Sequence, residues 1–244
     1  PPEHVHFVLA TDRLQRVLPT IISRCQVIEL GPVGRDELRR HLAAAFGLGD
    51  QVAAALADLA EGSVARAERL AADQLSGRRA ELIGHAVAAL GGERTARELF
   101  VAAVVERRKA AEAEAEAALQ AEVARLAQDI PDERDRTWRE RRARDRARRD
   151  GARAARREAL DACELLTGLV RDLWVVSGGA SGVIWNRDHE QAVAAATRRE
   201  PAVYEQMLDV AGAARRHLYL NVDPALALRA MFCRFEEVAR QWAP

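Results

Sequence analysis

With 37 basic and 37 acidic residues among 244, the chain carries no net charge at neutral pH, so no overall potential recruits nucleic acid or a membrane surface and any electrostatic partner must be met locally. The length suffices for one or two domains with a real core, and no apolar stretch approaches the roughly 20 residues of a spanning helix, which predicts a chain outside the membrane. Cys25, Cys163 and Cys233 are far apart, with neither the close pairing of metal ligands nor a secretory signal, so they are expected as reduced core residues of a cytoplasmic protein without a metal site.

Val5 to Ala10 is a short apolar run rich in β-branched and aromatic residues, which suits a buried strand ending at the polar pair Thr11-Asp12. Pro19 can open a helical turn, because its missing N–H would be unpaired there anyway, so Thr20 to Arg24 is predicted as a short helix displaying Ser23-Arg24 at its end. Gln26 to Leu30 alternates into a second strand, closed by Gly31-Pro32. No phosphate-cradling Gly-x-x-x-x-Gly-Lys-Ser/Thr loop and no acidic strand end for magnesium follows. Pro1-Pro2-Glu3 stands immediately before a core strand, and the chain therefore reads as the C-terminal part of a longer protein, cut inside a nucleotide-binding domain.

At these residues the chain resembles the bacterial clamp-loader ATPases of the AAA+ superfamily. Their sensor-1 strand ends in Thr or Asn and their next helix in Ser-Arg-Cys; here these are Ala10-Thr11-Asp12 and Ser23-Arg24-Cys25. The resemblance implies that Thr11 occupies the sensor-1 position. It also implies that Arg24 projects into the ATP site of a neighbouring subunit as an arginine finger, where a planar guanidinium neutralises γ-phosphate charge better than an ammonium does. The bland alternative is a surface arginine on a scrap of α/β structure.

From Arg35 the pattern turns helical. Asp36 or Gly34 can cap a helix carrying Leu38, Leu42 and Ala45, stopped by Gly47 to Asp50, and a second helix runs over Val52 to Ala60. Gly62 then ends one helix, Ser63 can cap the next, and Arg66 sits in its first turn. This three-helix unit resembles the family's lid domain, whose Gly-Ser-x-x-Arg-Ala element belongs to the sensor-2 region. That makes Arg66 a possible nucleotide-contacting residue, with an ordinary arginine on a lid helix as the alternative. The intervening Ala65 is closer to the non-motor δ′ subunits, whose own site need not work.

Residues 76 to 105 continue as helices with a break at Gly91-Gly92. Glu106 to Gln128 is Ala/Glu-rich with an apolar stripe at Leu119, Val123 and Leu126 that reaches Ile130. After a turn at Ile130-Pro131, Arg134 to Arg157 holds twelve arginines against Asp135, Glu140, Asp145 and Asp150. The two arms are expected as an antiparallel hairpin of coiled-coil type whose charges face each other across the seam. A basic stripe suggests DNA through counterion release, and alternating charge on a solvated helix is the other reading. An apolar helix from Ala159 to Trp174 follows, then helices over Asn186 to Arg199 and Pro201 to Leu220. The last helix opens at Asp223-Pro224 and carries Leu226, Leu228, Met231, Phe232 and Phe235. The order Arg171-Asp172-Leu173, Trp185-Asn186, Asn221-Val222-Asp223-Pro224 resembles the collar domain of clamp-loader δ′ subunits.

The expected fold is therefore mainly α. A two-strand remnant of an AAA+ RecA-like α/β domain (1–31) precedes a three-helix lid (32–75) and an all-α collar (76–105 and 158–244) interrupted by the charged hairpin (106–157). The resemblance implies a δ′-type subunit of the DNA polymerase III clamp loader, within a holoenzyme that is a DNA-directed DNA polymerase and nucleotidyltransferase. This chain would hold no complete active site of its own and no cofactor alone, ATP lying at a neighbouring subunit. Its partners would be the γ/τ and δ subunits of a hetero-pentamer, the sliding clamp and, through the complex, primed DNA. A γ/τ ATPase motor is the nearest alternative, and a helical nucleic-acid-binding or scaffold protein built on the arginine-rich hairpin is one of another class.

Overall fold

The structure, a computed structural model, describes residues 5–11, 13–220 and 222–242. Pro1 to Glu3, Asp12 and Asn221, all of which bear on the sequence reading, lie outside them. The chain divides into two compact units, 1–32 and 33–244. Among the described residues there are ten α-helices and no strand, so the mainly α expectation holds.

In the first unit, a single 3-10 turn at Leu14–Arg16 precedes α1 (Pro19–Ile22). The strands expected over Val5 to Ala10 and Gln26 to Leu30 are absent, and both stretches are irregular. A strand exists through its neighbour's hydrogen bonds, and this unit offers only two candidates, fewer than a free-standing sheet requires. Nor is any described residue of 5–32 buried: Val8 and Leu30 are more than 90% exposed. Strand-like composition without a sheet to join leaves apolar side chains in water.

The second unit begins with α2 (Arg35–Phe46), α3 (Asp50–Ala60) and α4 (Val64–Leu75). Gly34 is the N-cap of α2, and Gly47 ends it at φ 66°, a left-handed conformation that costs a residue without a Cβ little. The Ser63 hydroxyl caps α4 by accepting the Arg66 N–H at 3.3 Å, as its position predicts. Leu38, Leu42, Leu56, Leu59 and Ala67 form the core of these helices. Ala45, expected on the apolar face of α2, is instead exposed, because the stripe continues from Leu42 to Phe46.

The remaining helices are α5 (Arg78–Leu90), α6 (Arg94–Asp129), α7 (Glu133–Ser177), α8 (Glu190–Ala196), α9 (Pro201–Tyr219) and α10 (Pro224–Gln241). Their core joins Phe100 of α6, Leu166, Leu169 and Val170 of α7, Met207 of α9 and Phe232 of α10. Phe232 meets Phe100 and Phe235 edge to face, with centroids 5.6 and 6.1 Å apart. Leu226, expected in this core, is 61% exposed on the first turn of α10. No described helix is long and apolar enough to cross a membrane.

The 36-residue α6 and 45-residue α7 are each continuous. At about 1.5 Å per residue, α7 is roughly 67 Å long. The expected hairpin arms are thus extensions of core helices. Their seam differs from the expectation of opposed charges. Ala143, Gly151 and Ala155 are buried along α7, and a Cβ on Gly151 would stand 3.1 Å from the Cβ of Ala115. Ion pairs run mostly along α7, Arg139 with Asp135 and Arg144 with Glu140, both at 3.1 Å. Arg146 spans the seam to Glu122 at 3.5 Å. Small side chains let the helix axes approach closely, and most of the charged groups are left outside.

Cys25 and Cys233 are exposed, a departure from the core placement expected of them; Cys163 is buried. Burial first, and then the nearby Glu164 carboxylate, push the Cys163 thiol up to about 11 against the opposing influence of Arg215.

Two outcomes follow from this packing. A disulfide reagent at pH 8 should titrate two thiols in the native chain, Cys25 and Cys233, and the third only on unfolding; three equivalent thiols would place Cys163 outside the core. Gly151→Leu should lower stability in urea by about 1–3 kcal/mol through overpacking against α6, and unchanged stability would mean that the arms are not in contact.

Candidate functional site

The Ser23-Arg24-Cys25 triplet is shaped by Pro19, whose ring occupies the first helical position of α1. The Ser23 N–H donates to the Pro19 carbonyl at 2.9 Å, the Arg24 N–H to Ile21 at 3.0 Å and the Cys25 N–H to Ile22 at 3.2 Å. The Ser23 hydroxyl donates to the Thr20 carbonyl at 3.3 Å. Arg24 is therefore held by backbone on both sides, while its guanidinium is exposed and has no ion pair or hydrogen bond among the described residues. Thr11 accepts a hydrogen bond from the Arg13 N–H at 3.0 Å, so its hydroxyl is engaged within its own turn.

Arg66 lies in the second unit, its side chain about three-quarters buried. Its guanidinium reaches Glu61 at 3.3 Å and Glu164 of α7 at 3.0 Å. Nearby, Arg69 donates to Asp161 at 3.2 Å, and Arg107 lies 2.9 Å from Glu158 while also bonding Asp73. Burial opposes the charge of Arg107, yet Asp73 and Glu158 together outweigh it and hold the guanidinium above its ordinary value. Burial lifts the Glu158 carboxyl against the pull of Arg107, which it shares with Asp73. Arg66, Arg69, Asp73, Arg107, Asp161 and Glu164 line a cavity of about 50 Å³ between α4, α5, α6 and α7. That is room for a water or two, far below the roughly 300 Å³ at which small-molecule pockets begin. The arrangement clamps α4 to α7.

A second polar cluster is deeper. The Asp172 carboxylate, fully buried, accepts from the Trp185 N–H at 2.9 Å and Arg171 at 3.0 Å through one oxygen. Through the other it accepts from the Asn186 N–H at 2.9 Å and the Asn186 amide at 2.7 Å. The Asn186 carbonyl oxygen in turn accepts from Arg79 at 2.8 Å, and Arg79, 2% exposed, also bonds Asp188 and Gln74. Arg171 lies 4.0 Å above the Trp185 ring. The Arg-Asp-Leu and Trp-Asn pairs singled out in the sequence thus meet, and their partners Arg79 and Asp188 had no sequence signal: 109 residues separate the two. Burial, aided by Arg79 and opposed by Asp188, holds His189 below its ordinary value. No group of His, Cys, Asp or Glu among the described residues is placed to hold a metal ion.

Residues 1–34 match the family model described as DNA polymerase III, delta subunit. That match relates this segment to a clamp-loader-like family of DNA polymerase III and to DNA replication, and it contains Thr11 and the Ser23-Arg24-Cys25 triplet. No curated protein and no solved structure matches the chain.

Removing one member of the buried cluster tests its weight. Asp172→Ala should cost about 3–5 kcal/mol in denaturant unfolding, because Asn186, Arg171 and the Trp185 N–H lose their buried partner; a loss below about 0.5 kcal/mol, the usual range for a surface change, would show that the cluster is hydrated. The depressed His189 sets a pH dependence with a definite sign. Its folded value lies below the ordinary 6.5, so its contribution is complete above that pH and is lost as pH falls through 6.5 towards the folded value. His189→Gln should flatten the stability profile below pH 6.5, and an identical slope would assign that dependence to other groups.

Proposed function

We propose that this chain acts in DNA replication as the δ′-type stator of a DNA polymerase III clamp loader, assembling through residues 158–244 and supplying Arg24 to ATP held by a neighbouring subunit. The observation that carries the reading is Arg24 itself. It is an exposed guanidinium, unpaired among the described residues, on a backbone-tied helix end inside the segment that matches the polymerase family. An arginine that served only a local fold would be expected to pair with a carboxylate, as Arg66, Arg69 and Arg107 do.

In this reading Arg24 stabilises the charge that develops on the γ-phosphate oxygens of the neighbour's nucleotide, with two N–H donors in a plane. Thr11, at the sensor-1 position, orients the polar end of the segment. Arg66 ties α4 to α7 through Glu164 and to the end of α3 through Glu61, a structural role in place of a nucleotide contact. Trp174, Tyr219, Leu220 and Leu226, left exposed on α7 and around the α9 to α10 connection, supply apolar side chains for assembly with other subunits. The chain contributes to loading of the sliding clamp on primed DNA without completing a reaction alone.

The test is an assembled ring carrying Arg24→Ala in this subunit only. Clamp-stimulated ATP hydrolysis at the neighbouring site should fall by a factor on the order of 10³ or more, as for arginine fingers supplied in trans. Nucleotide affinity should change much less, and Arg24→Lys should restore little, because it keeps the charge and loses the planar fork. Undiminished hydrolysis in a correctly assembled ring would reject the role.

A further inference from the structure

Residues 134–157 carry twelve arginines and four carboxylates within a chain whose total charge is zero, and the helix sorts them by face. At about 100° per residue, Arg136, Glu140, Ala143, Ala147, Gly151 and Ala154 fall on the side towards α6, where each is buried or half-buried. The opposite side presents Arg134, Arg141, Arg142, Arg148 and Arg149, all exposed and none in an ion pair among the described residues. Asp145 is the carboxylate that shares this side; Asp135, Glu140 and Asp150 are taken by Arg139, Arg144 and Arg153. Arg141-Arg142 and Arg148-Arg149 recur seven residues apart, about 10.5 Å along a straight helix. The side towards α6 is filled by alanine, Gly151, Arg136 and Glu140, none of them in this row, so the row is not required for packing.

We propose that this outward face of α7 is a binding surface for the phosphodiester backbone of duplex DNA. The occupant is argued from charge and from what the face lacks. Protein partners and membranes are held through apolar anchors in addition to charge, and this face has no Leu, Ile, Val, Met or Phe. Its one large apolar group, Trp138, is 55% exposed and has Arg142 stacked 4.7 Å over its ring. As the single aromatic side chain of 134–157, it does not make the run of rings on which successive bases of a single strand stack. What remains is a rigid row of guanidinium forks, which suits phosphate oxygens on a stiff polyanion and reads no base sequence. The surface adds a direct DNA contact to the proposed stator and does not depend on the role of Arg24.

The test measures binding of the full-length chain, without partner subunits, to a fluorescent 30-base-pair duplex across a salt series. Five phosphate contacts predict a slope of log affinity on log salt near −4.5, so that affinity falls on the order of 500-fold between 50 and 200 mM salt. Replacing Arg141, Arg142, Arg148 and Arg149 by Gln should bring the slope to about −1. The same four changed to Lys should keep most of it, and a charge-matched set, Arg40, Arg215, Arg216 and Arg234 to Gln, should leave it unchanged. Helix content and melting should be equal in all of them, since every altered side chain is exposed. The proposal is overturned if the first Gln set binds duplex like the unaltered chain. It is equally overturned if the charge-matched set loses as much, or if a single strand or poly-glutamate of equal charge is bound more tightly than the duplex.

Discussion

Fold and stability in the second unit turn on one carboxylate. Asp172 is buried on an otherwise apolar stretch of α7, and a charge there is tolerable only if every lone pair is occupied. Four donors occupy it, three of them from Trp185 and Asn186 in the connection that follows α7. The Asn186 side chain both donates to Asp172 and accepts from Arg79, so the same contact fixes the connection and draws α5 against it. Arg79 sits at the second position of α5, directly after the helix that closes the α2 to α4 group. One buried carboxylate therefore ties together the connection and two helices that the chain order leaves far apart. Arg66, Arg69 and Arg107 reinforce the same junction from its wetter side.

The long helices solve a different problem. Beyond the core made with α9 and α10, α6 and α7 continue together with no third layer of described residues to cover them. Large apolar side chains would then be left in water, and the hairpin instead buries alanine and glycine. Close axis approach gains dispersion contacts from small groups, and the charged side chains lie outside the seam. Such packing is weak per residue, and the arginines contribute little to it, since exposed pairs are worth about 0–1 kcal/mol each. Packing within the protein therefore does not account for the arginines of the outer face.

In the first unit the physics is reversed: almost nothing is buried, and local backbone hydrogen bonds do the shaping. Pro19 begins the turn, successive N–H groups close it, and Arg24 emerges at its end with an exposed side chain. Exposure, and the lack of an ion pair or side-chain hydrogen bond among the described residues, leave this arginine available for an anion. In the proposed function, that anion is a neighbouring subunit's phosphate.

Helix ends and periodic faces were legible in the sequence because their causes are local. Ser63 and Asp223 cap α4 and α10, the glycines after α2 and α3 stop those helices, and the three- and four-residue spacing of Leu38, Leu42 and Phe232, Phe235 marks faces that are indeed buried. The Ser-Arg-Cys triplet, too, was visible as a motif, and the first 34 residues alone match a known family. Only the tertiary structure decided the rest. Val5 to Ala10 has the composition of a strand, but pairing is a property of neighbours, and none is present among the described residues of that unit. The exposure of Cys25, Ala45 and Leu226 depends on what lies opposite them. The joining of Arg79 to Asp188 across 109 residues and the seating of Gly151 on Ala115 follow from packing, and periodicity within a single helix carries no information about the helix it will meet.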